Sequence, residues 1–257
     1  MYVWQRTNAG PLAALTALVG LLAGCSDATS SGQASAVDPG DLTSTSVTSP
    51  TGIDAAATQT PSGAAIIGEI PDGALQPGRY ALPPVGPGKE PLAVVDVPDG
   101  YTSWYSFIEA DKPVEPGDPL MLGLWVFTGV YLNPCAESHQ VSARSVRATA
   151  DAFLQQRFTS KTRPREVDVA GHHGLYMEVT TPTDLDYAAC DDAELNLWEA
   201  RPDTSYWTKL PGMVNRLWIL DVEGQPMVIQ MAVPPSAKGP QIHAMTRLVE
   251  SATFETS

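Results

Sequence analysis

Basic side chains are scarce in this sequence of 257 residues, which has 15 Lys and Arg against 29 Asp and Glu and a formal net charge of −14. Proteins that bind nucleic acid carry a basic patch that neutralises phosphates, so this composition argues against nucleic acid as a partner. The same shortage argues against electrostatic docking on an anionic lipid surface. The acidic net charge therefore argues against nucleic acid and anionic lipid as partners, but it does not identify a ligand.

The apolar run near the N-terminus is too short to cross a membrane. It extends from Pro11 to Leu22, whereas a membrane-spanning helix needs about 20 apolar residues. A short apolar run after a basic residue, here Arg6, is typical of a signal peptide. We therefore expect residues 1–24 to be a signal peptide that is removed, the alternative being an N-terminal helix packed on the domain.

The run closes on Leu22-Ala23-Gly24-Cys25, which resembles the lipobox of bacterial lipoproteins. In that family the cysteine receives diacylglycerol, and a peptidase then cuts before it. The resemblance implies that Cys25 is the lipidated N-terminus, carrying palmitate or similar chains. It also implies an extracytoplasmic protein, anchored through lipid to the outer face of the cell membrane. The whole chain is similar to exported lipoproteins of actinobacteria, a group that supplies no activity to transfer.

Aromatic residues are absent from Ser26 to Pro77, a stretch made largely of Ser, Thr, Ala, Gly, Asp and Pro. Such a segment cannot bury enough apolar surface to offset its chain entropy. We predict that residues 25–77 form the lipidated cysteine and a disordered tether with a reach of roughly 40 Å. Within it, the mildly apolar segment Ala64 to Ile70 is predicted to dock on the domain as an edge strand.

Residues 78–257 carry the pattern of a single folded domain. Apolar runs closed by Gly and Pro turns predict strands over Gly78–Leu82, Leu92–Val97, Trp104–Ile108, Met121–Val130, Glu166–Val169, Leu175–Thr181, Leu195–Arg201, Arg216–Val222 and Met227–Val233. A helical period follows Ser142, which we expect to be the N-cap, and a last helix starts near Gly239-Pro240. Hairpins with two helices predict an α+β fold with an antiparallel sheet of about six or more strands.

The order of these elements and the ending Ser251-Ala252-Thr253-Phe254 resemble the Mog1/PsbP-like layout. The resemblance covers about residues 92–255 and implies the same α+β class. It implies no ligand and no reaction.

Cysteine is rare, with three residues in the chain. If Cys25 carries lipid, Cys135 and Cys190 remain as an even pair in an oxidising compartment. We predict a disulfide between them, in two polar surface turns, that stabilises the domain by about 4 kcal/mol through loop closure. The alternatives, a metal pair or a free thiol, lack partners at ligand spacing.

Metal and catalytic motifs are also missing. Neither HExxH, Gly-x-Ser-x-Gly, Ser-x-x-Lys nor a Gly-rich phosphate loop occurs, and we expect no metal and no cofactor. The pair His172-His173 suits a hairpin turn better than a metal site, because neighbours on a strand point to opposite faces. The acidic residues Asp184, Asp186, Asp191, Asp192 and Glu194 could supply oxygen ligands to Ca²⁺. Their spacing matches no EF-hand, so a solvated loop is favoured, and a Ser/His/Asp set assembled only in space stays open.

One strand has two different faces. Tyr176, Glu178 and Thr180 alternate with apolar neighbours and could line a groove with Arg201 or Arg216. The alternative is a solvated sheet face with a surface ion pair.

Trp207, in the turn-like Ser205–Thr208, is the best candidate for an exposed aromatic contact, with Tyr206 and Met213 beside it. The other tryptophans of the domain, which include Trp104, Trp125, Trp198 and Trp218, are assigned to the core. The speculative ligand-binding set is therefore Tyr176, Glu178, Trp207, His172 and His173. The function that fits is a non-enzymatic binding or assembly module for an envelope protein or cell-wall ligand, and the alternative is a hydrolase acting on cell-envelope material.

Overall fold

A computed structural model describes residues 66–111, 118–136, 138–201 and 204–255. The predicted signal peptide, Cys25 and the tether up to residue 65 lie outside the described residues. Among the described residues, no helix is long and apolar enough to cross a membrane.

The described residues form strands in three sheets and two α-helices. The strands are β1 (Ile66–Glu69), β2 (Gly73–Ala74), β3 (Gly78–Leu82), β4 (Leu92–Val97), β5 (Tyr101–Trp104), β6 (Phe107–Ala110), β7 (Met121–Trp125), β8 (Gly129–Asn133), β9 (Ser138–Ser142), β10 (Ser160–Lys161), β11 (Arg165–Val169), β12 (His172–Thr180), β13 (Leu195–Arg201), β14 (Thr204–Thr208), β15 (Val214–Val222), β16 (Gln225–Val233) and β17 (Thr253–Glu255). The helices are α1 (Val146–Gln155) and α2 (Gly239–Glu250), and two short 3₁₀ turns lie at Tyr187–Ala189 and Asp191–Ala193.

The central sheet has nine strands in the order β10-β12-β15-β16-β7-β6-β5-β2, with β11 paired to β12. All of its pairings are antiparallel. Along β15, Trp218 and Leu220 belong to one apolar cluster, whereas Leu217 and Ile219 belong to the other. Because side chains alternate across a strand, both faces of this strand need a covering layer.

One face is covered by α2 and a four-stranded sheet in the order β1-β3-β4-β17. Met245, Leu248 and Val249 are the buried residues of α2, and they pack in the cluster that contains Leu220. The helix contacts β16 of the central sheet and β4 of the covering sheet.

The other face is covered by α1 and a four-stranded sheet in the order β14-β13-β8-β9. Its core is an aromatic cluster in which Trp198 stacks on Tyr206 with ring centroids 4.3 Å apart and meets Trp125 edge to face at 5.6 Å. Aromatic pairs of this geometry add stability beyond the area they bury.

The predicted α+β class, with mostly antiparallel sheets and two helices, is confirmed. The strand predicted over Leu195–Arg201 has those bounds, and the predicted hairpin of Arg216–Val222 and Met227–Val233 is β15 and β16. The edge strand predicted within Ala64 to Ile70 is also present as β1, which pairs in parallel with β3. Both β1 and β2 lie inside the stretch that was predicted to be a tether. These two segments are strands because their backbones pair with β3 and β5, which follow in sequence.

Two predicted strands are wrong in detail. Trp104–Ile108 is the turn of a hairpin, with Tyr105 and Ser106 both at positive φ (46° and 68°) between β5 and β6. Two such residues form the tight turn whose twist suits a hairpin. Met121–Val130 is two strands in two sheets, since β7 pairs with β16 whereas β8 pairs with β13.

The start of the first helix is also corrected. Ser142 ends β9 and pairs with Gly129, so the N-cap is Ser145, whose Oγ accepts a hydrogen bond from the backbone N–H of Ala148 at 3.1 Å. After α2, the segment that contains Phe254 is a strand, and it pairs with β4.

The predicted disulfide joins Cys135 and Cys190, with Cα atoms 4.6 Å apart. Cys190 is buried, and Cys135 packs against the core cluster of the aromatic side chains. The bridge therefore lies at the margin of the core, whereas the polar neighbours of both residues had indicated the surface.

Candidate functional site

A cleft of about 390 Å³ opens at one end of the central sheet. Its floor is formed by β11, β12 and β15, and the last turn of α2 forms one wall through Thr246, Val249 and Glu250. The cleft lies on the face of the sheet that α2 covers, at the point where the helix ends.

Strand register brings the floor residues together. Tyr176 on β12 lies opposite Arg165 on β11 and opposite Trp218 on β15, and Glu178 lies opposite Arg216. Directly opposed residues on antiparallel strands share a face, with Cβ atoms about 5 Å apart. The register therefore places two cations, one carboxylate and two aromatic rings on one small surface.

The carboxylate of Glu178 connects the polar groups of this surface. The Tyr176 hydroxyl donates a hydrogen bond to Glu178 Oε1 at 2.6 Å, and Arg216 Nε lies 3.2 Å from the same oxygen. Arg216 Nε is buried and makes no well-aligned hydrogen bond, so its contact with Glu178 is mainly electrostatic. Both side chains of this ion pair are about 28–29% exposed.

The hydroxyl of Tyr176 is held in its protonated form. Burial raises the pKa of Tyr176, and the hydrogen bond to the Glu178 carboxylate raises it further. A phenol with a raised pKa acts as a hydrogen-bond donor at neutral pH and is a poor base. Tyr176 therefore orients Glu178 and presents its ring to the cleft.

The aromatic part of the cleft is built on the ring of Tyr176. The guanidinium carbon of Arg165 lies 4.3 Å from the centroid of this ring, within the range of a cation–π contact. The rings of Tyr176 and Trp218 meet edge to face with centroids 5.1 Å apart. Arg165 is exposed, whereas the two aromatic side chains are partly or fully buried, so the arginine forms the solvent side of this stack.

The two histidines of the predicted set do not form the hairpin turn: they begin β12, and the turn is made by Ala170 and Gly171 at positive φ (54° and 80°). As neighbours on a strand, their side chains point to opposite faces. His172 Nδ1 lies 3.1 Å from the carbonyl oxygen of Asp221, and its ring meets Phe254 edge to face at 5.0 Å. The side chain of His173 is 89% exposed, and its Nδ1 is in close contact with Asp168 Oδ1. In the part of the chain that the structure describes, no group of three or more His, Cys, Asp or Glu could hold a metal ion.

Two of the acidic residues that could supply oxygen ligands to Ca²⁺ have local structural contacts. Asp186 caps the first 3₁₀ turn by accepting a hydrogen bond from the N–H of Ala188 at 3.1 Å. Glu194 lies 3.7 Å from Lys209 Nζ.

Trp207 lies in a different part of the fold and does not join the cleft. It is on β14, an edge strand of the sheet that covers the opposite face, and Lys209 Nζ lies 5.6 Å from its ring centroid. Trp207 is half-buried, and its nominated neighbours Tyr206 and Met213 are buried in the core. These two residues do not extend an exposed patch around Trp207. Tyr206 points inward because it alternates with Trp207 along β14.

Register explains which arginine reaches the predicted groove. Arg216 pairs with Glu178, whereas Arg201 donates a hydrogen bond from Nε to Thr204 Oγ1 at 3.1 Å on the other sheet. The sequence reasoning missed Arg165 and assigned Trp218 to the core alone. Arg165 immediately precedes the strand predicted to start at Glu166. Extending that strand by one residue would have placed Arg165 in the hairpin with Tyr176.

Comparisons with known proteins found little. No family model and no curated protein matches the chain. Among solved structures, the crystal structure of LpqN, involved in cell envelope biogenesis of Mycobacterium tuberculosis, is similar with a TM-score of 0.37 and 10% sequence identity. The match covers 69% of this chain and 91% of LpqN. A similarity this low carries no inference about the fold or the role of this chain.

Proposed function

We propose that this protein is an exported lipoprotein anchored through Cys25 to the outer face of the cell membrane, and that its domain is a non-enzymatic binding module for a component of the cell envelope. The lipobox-like Leu22-Ala23-Gly24-Cys25 supports the anchor. The Cys135–Cys190 disulfide supports an oxidising compartment, because such bridges persist mainly outside the cytoplasm.

The cleft beside α2 is the observation that carries the binding role. Its polar groups contact one another. Glu178 accepts a hydrogen bond from the Tyr176 hydroxyl and forms an ion pair with Arg216. Burial and the Glu178 carboxylate raise the pKa of Tyr176, so its protonated hydroxyl is a weak nucleophile at neutral pH. The cleft offers a concave surface, two aromatic rings and the N–H donors of its arginines. These are features of a ligand-binding site.

The anchor is tested by changing the cysteine. In cells, Cys25→Ser should abolish metabolic labelling with a fatty acid and release the protein from the membrane fraction. The matched control is Cys135→Ser, which leaves the lipobox intact and should still be labelled. If Cys25→Ser still partitions with membranes and the wild type takes no label, the protein is not a lipoprotein.

The binding role is tested by native mass spectrometry of the mature protein after incubation with envelope extract. We expect a retained compound on the wild type that is lost in Arg165→Ala, an exposed change at the cleft. Arg201→Ala, an exposed change on the other sheet, is the control and should retain the compound. Equal retention by both variants would rule out the cleft. Steady conversion of the compound that stops in Glu178→Gln would instead establish an enzyme acting on envelope material.

A further inference from the structure

One of the two arginines on the floor of the cleft contacts no carboxylate among the described residues. Arg216 is paired with Glu178, whereas the contact made by the Arg165 guanidinium among the described residues is with the face of the Tyr176 ring. An aromatic ring offers the guanidinium attraction but accepts few of its five N–H donors. Arg165 therefore faces the opening with donors and charge that no described carboxylate takes up.

The donors of the two arginines match a planar or tetrahedral oxyanion. Guanidinium groups bind carboxylates and phosphates through paired N–H donors, and such charge-assisted bonds are stronger than neutral ones. The Tyr176 hydroxyl already donates to Glu178, so it does not compete for the same acceptor. The floor of the cleft therefore has N–H donors on its arginines that can bind an added hydrogen-bond acceptor.

Apolar walls lie next to these donors. The Tyr176 and Trp218 rings stand beside Val167 and Val249 on the lining of the cleft. A ligand that fills this space needs an apolar or flat portion attached to its anionic group, because a free inorganic ion would leave the walls in contact with water.

Two carboxylates on the cleft oppose an anion and give the site a direction. The Asp168 carboxylate is in close contact with His173 Nδ1. Glu250 is exposed at the end of α2 and lines the helix side of the cleft. An anionic group is therefore favoured on the Arg165 side and disfavoured on the helix side.

We infer that the cleft binds the oxyanion end, carboxylate or phosphate, of an amphiphilic ligand, with Arg165 as the main anion contact and the Tyr176–Trp218 pair against the apolar part. The inference rests on the proposed binding role of the same cleft. It adds the charge class of the ligand and assigns Glu250 as a residue that weakens anion binding.

The test uses probes of matched shape on the mature wild-type protein, namely benzoate, benzamide and benzylamine, with phenyl phosphate added to separate carboxylate from phosphate recognition. Binding is followed by ligand-observed NMR titration. Benzoate or phenyl phosphate should bind more tightly than the neutral and cationic probes, and added salt should weaken the binding. Arg165→Ala should weaken it by about tenfold, the loss of one charge-assisted hydrogen bond.

A second variant should change the affinity in the opposite direction. Glu250→Gln removes a negative charge from an exposed position with little change of shape, so it should tighten benzoate binding. Arg201→Ala, on the other sheet, should leave the affinity for benzoate and for phenyl phosphate unchanged. Equal binding of benzamide, or no binding of any probe, would overturn the anion assignment. The binding role itself would survive if the compound retained from envelope extract were still lost in Arg165→Ala.

Discussion

At the scale of single residues, Tyr176 is the centre of the candidate site. It faces Arg165 and Trp218 across two strand pairings and donates its hydroxyl to Glu178. Its environment favours the neutral phenol, first through burial and then through the carboxylate that accepts a hydrogen bond from its hydroxyl. The residue therefore links the packing of the sheet to the electrostatics of the cleft.

The raised pKa of Tyr176 predicts how stability responds to alkali. In the unfolded chain the phenol loses its proton near its ordinary pKa of 10.0, whereas in the folded protein it keeps the proton to higher pH. The folded state then binds more protons, so the free energy of unfolding falls as pH rises above about 10. Below that pH the contribution is fully present.

Tyr176→Phe should make this fall less steep, because one of the tyrosines that causes it is gone. Burial also raises the pKa of Tyr206, so part of the fall should remain. Urea unfolding between about pH 9 and pH 11 measures the slope. Tyr105→Phe, which removes a hydroxyl from an exposed side chain, is the control variant. An unchanged slope in Tyr176→Phe would contradict the predicted environment.

At the scale of elements, β12 supports the cleft because β11 and β15 both pair closely with it. Gly174 is opposite Leu220 on β15 and opposite Val167 on β11. A Cβ at this position would overlap the carbonyl oxygen of Ile219 and press on Leu220. The close approach of two backbones explains a glycine inside a long strand.

Gly174→Ala should therefore destabilise the domain by about 1–3 kcal/mol, the usual cost of overpacking. The matched control is Gly239→Ala at the start of α2, where an added Cβ meets nothing within 4 Å. Chemical denaturation of both variants checks the difference. Similar stability of the two would show that β12 and β15 can separate without cost.

At the scale of the whole molecule, the disulfide closes a loop of 55 residues between two segments that flank paired strands of one sheet. Cys135 follows β8, and Cys190 lies between the two 3₁₀ turns that precede β13. Backbone hydrogen bonds flank the bridge, with Asp191 N–H donating to the Cys135 carbonyl at 2.9 Å and Asn196 N–H to the Pro134 carbonyl at 2.9 Å. The bridge thus joins segments that the sheet already holds together.

Reduction of this bridge should lower the free energy of unfolding by about 4 kcal/mol, the loop-closure value for a separation of 55 residues. The double variant Cys135→Ser/Cys190→Ser should lose a similar amount in non-reducing conditions. Thermal and urea unfolding, with and without reductant, measure the effect, and reductant should not change the double variant. A loss near zero would contradict the loop-closure account, in which the bridge acts by restricting the unfolded chain.

Local patterns in the sequence determined the α+β class, most strand positions and the cysteine pair. Leu195–Arg201 could be predicted because its composition and flanking turns are local signals. The even pair of cysteines followed from their number once Cys25 was set apart, and the bridge is present. The strand positions depend on residues close together in the chain, whereas the cysteine pair depends on a count.

Tertiary structure alone decided the pairing of strands, and with it the site. Nothing local shows that Arg165 faces Tyr176, that Arg216 rather than Arg201 meets Glu178, or that Met121–Val130 divides between two sheets. A period of two residues assigns side chains to two faces but does not say which strand lies alongside or in which register. Register is set by burial of both sheet faces at once, a property of the packed layers as a whole.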